Sequence, residues 1–338
     1  MGYRRIVLRE LGGPEFFEWV EEELLPEPGL GEVRLRVLAA GASFTDTLVR
    51  RGKYPDVKAI PPFTPGYDMV GVVDALGEGA GRVRRGQRVA DLTVLGAYAE
   101  YICLSEDRLV AVPNGLDPAE AVSLVLPYLT AHQLLHRVAR VRAGDSILVH
   151  AAGGAVGTAI LQLGGLLGLT MYATASRSKH ALVERLGGTP IDYRTEDFVE
   201  RVLAAVPGGV AAAFDPIGGG SYRRSFQVVR RGGTLAAFGF YNPWTGRGGN
   251  IPLEYIGLQV RNLLPNGKSA AFYSIGSWRK KHPDWFQEDL ATLFRLLAQG
   301  KIRPVIAQRM PLAEAAQAHR LIERAAVQGR IVLMAGPE

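Results

Sequence analysis

Apolar and polar positions alternate in short runs over residues 1–125. Residues 33–39 read Val-Arg-Leu-Arg-Val-Leu-Ala, and segments 69–74, 88–92, 98–104 and 108–112 share this strand character. Glycine and proline separate the runs, as in Pro26-Glu27-Pro28-Gly29, Pro61-Pro62, Pro65-Gly66 and the glycines from Gly77 to Gly81. The pattern predicts a strand-rich, barrel-like domain. Near Pro127 the rhythm changes. Residues 130–141 have helical spacing, and from Asp145 strands and helices alternate. Strands are predicted at 146–150, 170–174, 210–215 and 234–239, and helices at 156–168, 179–186, 196–205 and 221–229. The strands are apolar on both faces, which predicts a parallel sheet between two helix layers. Helices at 285–299 and 312–325 and a strand at 330–335 depart from this alternation and are expected to return to the first domain.

A length of 338 residues suits two domains. With 47% apolar and 21% charged residues, the composition is that of a folded globular protein. No internal repeat is present. The single cysteine, Cys103, excludes both a disulfide within the chain and a cysteine-based zinc cluster. The N-terminal residues lack the apolar core of a signal peptide, and no run approaches 18 apolar residues. A cytoplasmic protein without a membrane partner is therefore expected. The net charge is +6, with basic clusters at Arg82, Arg84, Arg85 and Arg88 and at Arg279, Lys280 and Lys281. Neither cluster has interleaved aromatics, so no nucleic-acid partner is expected.

The strongest local signal is Ser-Ile-Leu-Val-His-Ala-Ala-Gly-Gly-Ala-Val-Gly-Thr at 146–158. A buried strand runs into a glycine turn and then a helix. Gly153 and Gly154 let the main chain approach a diphosphate closely. Ala155, Val156 and Gly157 open a helix whose first amides and positive dipole end attract phosphate, and Gly157 lets that helix sit tight on the sheet. The strand before and the helix after give the motif its dinucleotide-binding context. NAD sites usually place an acid about 20 residues past the glycines, to hold the ribose hydroxyls. Here that place reads Thr174-Ala175-Ser176-Arg177-Ser178-Lys179, without an acid. Arg177 and Lys179 attract a 2′-phosphate and Ser176 offers a hydrogen bond, so the expected cofactor is NADPH.

Ala151-Ala152-Gly153-Gly154-Ala155-Val156-Gly157 with Gln162-Leu163 resembles the signature of the quinone oxidoreductase (zeta-crystallin-like) branch of the medium-chain dehydrogenase/reductase superfamily. The resemblance spans nearly the whole chain. It includes Pro65-Gly66-Tyr67-Asp68-Met69-Val70-Gly71, Gly86-Gln87-Arg88-Val89, Ala97-Tyr98-Ala99-Glu100-Tyr101, Leu129-Thr130-Ala131, Tyr193-Arg194-Thr195-Glu196-Asp197 and Asp215-Pro216-Ile217-Gly218-Gly219. It implies an α/β fold with two parts. One is a GroES-like split β-barrel catalytic domain (1–126 and 268–338); the other is a Rossmann domain with a doubly wound parallel sheet that binds NADPH (127–267). It also implies a homodimer, and the apolar stretch 269–276 is a candidate edge strand for its interface. Zinc members of the superfamily carry cysteine and histidine where this chain has Ser43 and Tyr67, so no metal is expected. His132 and His136 stand four apart on a predicted helix. Gln133 occupies the place where a zinc protease needs a glutamate base, so a surface or capping role is expected for the pair.

The resemblance also marks catalytic candidates. Tyr54 matches a tyrosine that lines the substrate pocket and has been considered a proton donor in related enoyl reductases. A phenol both hydrogen-bonds a carbonyl and releases a proton. Ser43 stands where quinone oxidoreductases usually carry asparagine, while Asp46 is expected to be structural. Thr130 matches a threonine near the nicotinamide. Tyr193 matches a tyrosine near the adenine or the 2′-phosphate. Gly239 and Phe240 end a sheet strand and are expected to border the nicotinamide. The segment 240–249, with Tyr241 and Trp244, is expected to form a mobile wall of the substrate pocket. The function implied is NADPH-dependent hydride transfer, without zinc, to a small-molecule quinone or enone. Two alternatives stand beside it: an enoyl-thioester reductase, and a non-catalytic NADPH-binding regulatory or structural protein.

Overall fold

The computed structural model describes residues 2–336 and divides into two compact units: Met1–Pro127 with Gln287–Glu338, and Tyr128–Phe286. Met1, Pro337 and Glu338 lie outside the described residues. The first unit opens with an antiparallel pair, β1 (Tyr3–Leu8) and β2 (Phe17–Glu22). It continues through β3 (Glu32–Ala42), α1 (Phe44–Arg50), β4 (Met69–Leu76), β5 (Arg88–Asp91), β6 (Tyr101–Ser105), β7 (Val110–Ala111) and α2 (Pro118–Ser123). Strand β3 is long because it serves several partners. Two register shifts along its pairing with β4 bend it, and it also pairs with β6. Its alternating residues Val33, Leu35 and Val37 are buried, as the sequence pattern predicts. The predicted strand at 98–104 begins only at Tyr101, because residues 98–100 bond to other segments: the Tyr98 amide donates to the Pro65 carbonyl, and the Glu100 amide to the Arg4 carbonyl beside the Arg5–Ala99 bridge.

The second unit begins with α3 (Leu129–Gln133), flanked by two wide helical turns at Leu124–Tyr128 and Leu134–Val138. Pro127 has no amide to give to a regular helix there. The unit then alternates through β8 (Ser146–Val149), α4 (Ala155–Leu166), β9 (Thr170–Ala175), α5 (His180–Arg185), β10 (Gly188–Asp192) and α6 (Phe198–Ala205). It goes on through β11 (Val210–Asp215), α7 (Gly220–Val228), β12 (Val229–Ala237), α8 (Tyr241–Thr245), α9 (Ile251–Leu263), β13 (Ser269–Phe272) and α10 (Ile275–Lys281). All six strands are parallel, in the order β10-β9-β8-β11-β12-β13. This is the doubly wound order, with its switch point between β8 and β11.

After the crossing, α11 (Pro283–Ala298), β14 (Ile306–Pro311), α12 (Ala315–Glu323) and β15 (Arg330–Met334) follow. Strand β15 pairs with β3 and β14, so the tail completes the seven-stranded sheet of the first unit. The expected return at 268 comes later, at Gln287. The physical reason is β13, which hydrogen-bonds to β12 and belongs to the parallel sheet.

One buried ion pair ties the tail to the first unit. The Arg330 guanidinium donates to Asp68 at 2.7 Å, with the side chains 3% and 0% exposed. Gly41 gives it room, since a Cβ there would lie 1.5 Å from Arg330 Nη2. Asp68→Asn leaves the buried guanidinium uncompensated. It is expected to cost about 3–5 kcal/mol in urea unfolding at neutral pH; a loss near zero would remove the pair from the stability account.

Candidate active site

In the first unit Ser43 is the N-cap of α1. Its hydroxyl donates to Asp46 Oδ2 at 2.6 Å, its amide donates to the same oxygen at 2.9 Å, and the Asp46 amide returns a bond to Ser43 Oγ at 3.3 Å. The reciprocal cap explains why this short helix starts where it does. Asp46 is only 1% exposed. Burial pushes its carboxyl up to about 7, with Asp68 raising it further while Ser43 and Arg330 hold it down. Tyr54 follows α1. The Tyr67 hydroxyl donates to the Tyr54 hydroxyl at 3.4 Å, and the rings meet edge to face at 5.8 Å. Burial raises the phenol of Tyr54 above its ordinary value, so it stays protonated at neutral pH and acts as a donor. Because Tyr67 donates within the pair, the hydrogen of Tyr54 is left for another acceptor.

Ser43, Tyr54, Asp46 and Tyr67 thus gather in one unit, and Asp46 acts electrostatically on both phenols. Thr130, the third catalytic candidate, lies buried on α3 of the other unit. Reasoning from sequence missed the contribution of Tyr67. Its signal was the large phenol at a vacated histidine position, two residues past Pro65.

In the second unit the glycine loop joins β8 to α4. A Cβ on Gly157 would lie 2.5 Å from the Ala151 carbonyl oxygen and from Ala152 Cα, so only glycine fits there. Gly154 caps α4 without a side chain. As first-turn amides, Ala155, Val156 and Gly157 have no carbonyl within the helix to bond and face the dipole's positive end. Gly153 lies under Lys179, whose Cδ would be 2.5 Å from a Cβ at that position. Lys179 therefore rests on the loop itself, and burial lowers its pKa. Ser176 and Arg177 follow the end of β9 beside it, with the Ser176 hydroxyl 3.3 Å from that of Ser178. Tyr193 follows β10 with its ring 53% exposed and the Arg194 guanidinium 5.7 Å from its centroid. The cradle and the acid-free, basic end of β9 fit NADPH.

Gly239 lies two residues past β12, and its carbonyl accepts the Tyr222 hydroxyl. Phe240 is buried and stacks on Phe272 at 4.8 Å, with Trp244 edge-on at 5.7 Å. Within the 240–249 segment, Tyr241–Thr245 form a short helix, α8, and Trp244 meets Phe240 at its start. Beneath the loop lies a chain of buried hydrogen bonds. His150 contacts the Thr174 hydroxyl at 2.8 Å and the Ser225 hydroxyl at 2.9 Å, and the Ser225 hydroxyl donates to Asp215 at 2.6 Å. Burial lowers the His150 pKa, so it is neutral at pH 7. With the Ser225 proton spent on Asp215, His150 Nε2 is the donor to Ser225 and Nδ1 accepts from Thr174. The His132 and His136 rings meet at 4.4 Å, tilted by 48°. No group of three or more potential metal ligands is found among the described residues.

Two family models match the chain: the alcohol dehydrogenase GroES-like domain over residues 29–114, and the zinc-binding dehydrogenase over residues 186–333. A quinone oxidoreductase of Pseudomonas aeruginosa is 34% identical, covering 98% of this chain and 99% of its own. The chain belongs to the quinone oxidoreductase branch of the medium-chain dehydrogenase/reductase superfamily. A 2-haloacrylate reductase of Burkholderia is 33% identical over 97% of this chain and 98% of its own. The crystal structure of Escherichia coli quinone oxidoreductase complexed with NADPH matches with a TM-score of 0.86 at 27% identity, covering 98% of this chain and 99% of that one. Like other members of this branch, the protein is an NADPH-dependent oxidoreductase of a small-molecule substrate.

Arg177→Ala with Lys179→Ala is expected to raise the NADPH dissociation constant about tenfold or more, with little change for NADH. Fluorescence titration of both cofactors reads this directly. Equal losses for the two would detach these residues from the 2′-phosphate.

Proposed function

We propose that the protein reduces the conjugated double bond of a quinone or enone without zinc. The observation that carries this reading is the pairing of Ser43 with Asp46 and of Tyr67 with Tyr54, at positions where zinc relatives place metal ligands. A hydroxyl pair and a buried carboxyl supply hydrogen bonds and a proton where a metal would supply a Lewis acid. NADPH supplies the hydride. Tyr54 donates a hydrogen bond to the substrate carbonyl and stabilises the enolate oxygen. Asp46 holds a proton up to about pH 7; for transfer the Ser43 hydroxyl, which donates to Asp46 in the resting site, turns to give its proton to the enolate and takes the acid's proton in exchange, leaving Asp46 as the carboxylate. Solvent then restores the proton. Thr130 would orient the cofactor carboxamide, and Gly239 and Phe240 would border its ring. The same groups suit an enoyl thioester, which the assay below separates. We further propose a cytoplasmic homodimer. Strand β13 is the edge of the parallel sheet and offers its open side to a second copy.

The first test is NADPH oxidation at 340 nm, with chelator present, against a naphthoquinone, an enone and a crotonyl thioester. Loss with quinone or enone supports the reading. Loss with the thioester alone moves the protein to the enoyl-thioester reductases, and no loss with any acceptor favours the non-catalytic binder. Tyr54→Phe is expected to lower kcat roughly 100-fold through the lost donor.

The raised carboxyl of Asp46 also sets a pH dependence. Its acid form persists until the pH passes about 7, so enone reduction is expected to fall as pH rises through that value. Asp46→Asn keeps the cap geometry and removes the titration. A wild-type profile flat from pH 6 to 8 would discard Asp46 as the proton source.

A further inference from the structure

The parallel sheet has a second charged end. Opposite the glycine loop, at the N-terminal ends of β8, β11, β12 and β13, lies a hollow of about 580 Å³. Arg137, Arg140, Arg142, Arg230 and Arg231 line it, against a single carboxylate, Asp145. That carboxylate is already engaged. Its Oδ1 accepts Arg230 at 2.8 Å, and its Oδ2 accepts the Arg142 amide at 2.8 Å. Arg140, Arg142, Arg230 and Arg231 are exposed. Arg140 is held at φ 51, in the left-handed region that side-chain-bearing residues avoid. The Arg137 guanidinium sits 4.6 Å from the centroid of the Trp285 ring, which fixes one wall.

Arg230 is paired with Asp145 and Arg137 is engaged at the wall, so the excess positive charge of the hollow comes from Arg140, Arg142 and Arg231, and concave walls of low dielectric concentrate its field. An anion neutralises that excess. Guanidinium forks match pairs of phosphate oxygens in plane, which a point-charge lysine does not. The volume is that of a small-ligand pocket, and the charge is gathered into a hollow instead of running in a stripe along one face. We propose that this hollow binds a small anion carrying two or more phosphate groups, at a site separate from the cofactor loop. The ligand is either a free phosphate chain or the triphosphate of a nucleotide. The site reads the phosphates in both cases.

The test is calorimetric titration of inorganic triphosphate, and separately ATP, into the full-length protein saturated with NADPH, at about 50 mM salt. One further site per chain is expected, at least tenfold weaker in Arg140→Glu/Arg231→Glu and weaker again at about 0.2 M salt. The NADPH dissociation constant should be the same in the variant and the wild type, which shows that the variant folds. ATP binding tenfold tighter than triphosphate assigns a nucleotide, and equal affinities assign the phosphate chain alone; both support the site. No heat at about 1 mM ligand overturns the proposal. So does binding that the variant retains, or an RNA oligomer held through these arginines when triphosphate is not.

Discussion

The burial of Arg330 against Asp68 is the constraint on which the first unit depends. The two residues are 262 positions apart, so the pair is a tertiary staple between the last strand and the segment that enters β4. A buried guanidinium without its carboxylate is costly, and β15 cannot leave β3 without exposing that cost. The pair also shapes its surroundings. Asp68 raises the Asp46 carboxyl while Arg330 lowers it, and with burial the balance settles near neutrality. Burial is the main cause of that shift, and the residues that hold the discontinuous chain together adjust it in opposite directions.

The second unit answers a different constraint, the close approach of backbone to a diphosphate. Gly157 leaves no space for a Cβ, and that requirement is local in sequence. Below the loop, His150 is held between Thr174 and Ser225, each on a different element, with Asp215 closing the chain of donors. The network spans β8, β9, α7 and β11, on both sides of the switch point. It satisfies every polar group that the loop's support buries there, which is what a rigid loop requires.

This difference explains what was legible in the sequence. The parallel sheet, its strand order class and the phosphate loop could be read because apolar runs, glycines and the missing acid after β9 are local signals. The return of the chain was placed too early because Ser-Ala-Ala-Phe at β13 is too short and weakly patterned to show its sheet membership. Strands β1, β2 and β14 and helix α9 were not read for related reasons. Helix α9 turns Leu253, Ile256 and Val260 outward, so its burial runs against its pattern. Asp46 was expected to be structural, and its cap confirms part of that. What sequence could not show is its burial beside Asp68, because that depends on a strand arriving from the far end of the chain.

A parallel sheet aligns its strands, so its two ends differ in kind. At one end the turns after β8 and β9 present first-turn amides, Arg177 and Lys179. At the other, the turns before β8 and β12 present Arg142, Arg230 and Arg231. Positive charge at the first end has a clear partner in a phosphorylated cofactor. Among the residues lining the second end Asp145 is the single carboxylate, and it already accepts two donors. Solvent screening over about 8–10 Å lowers the repulsion among these arginines without removing it, because they converge within one hollow. The same reasoning that reads a cofactor site from amides and basic side chains after β9 applies, with stronger charge and less backbone, to the other edge of the sheet.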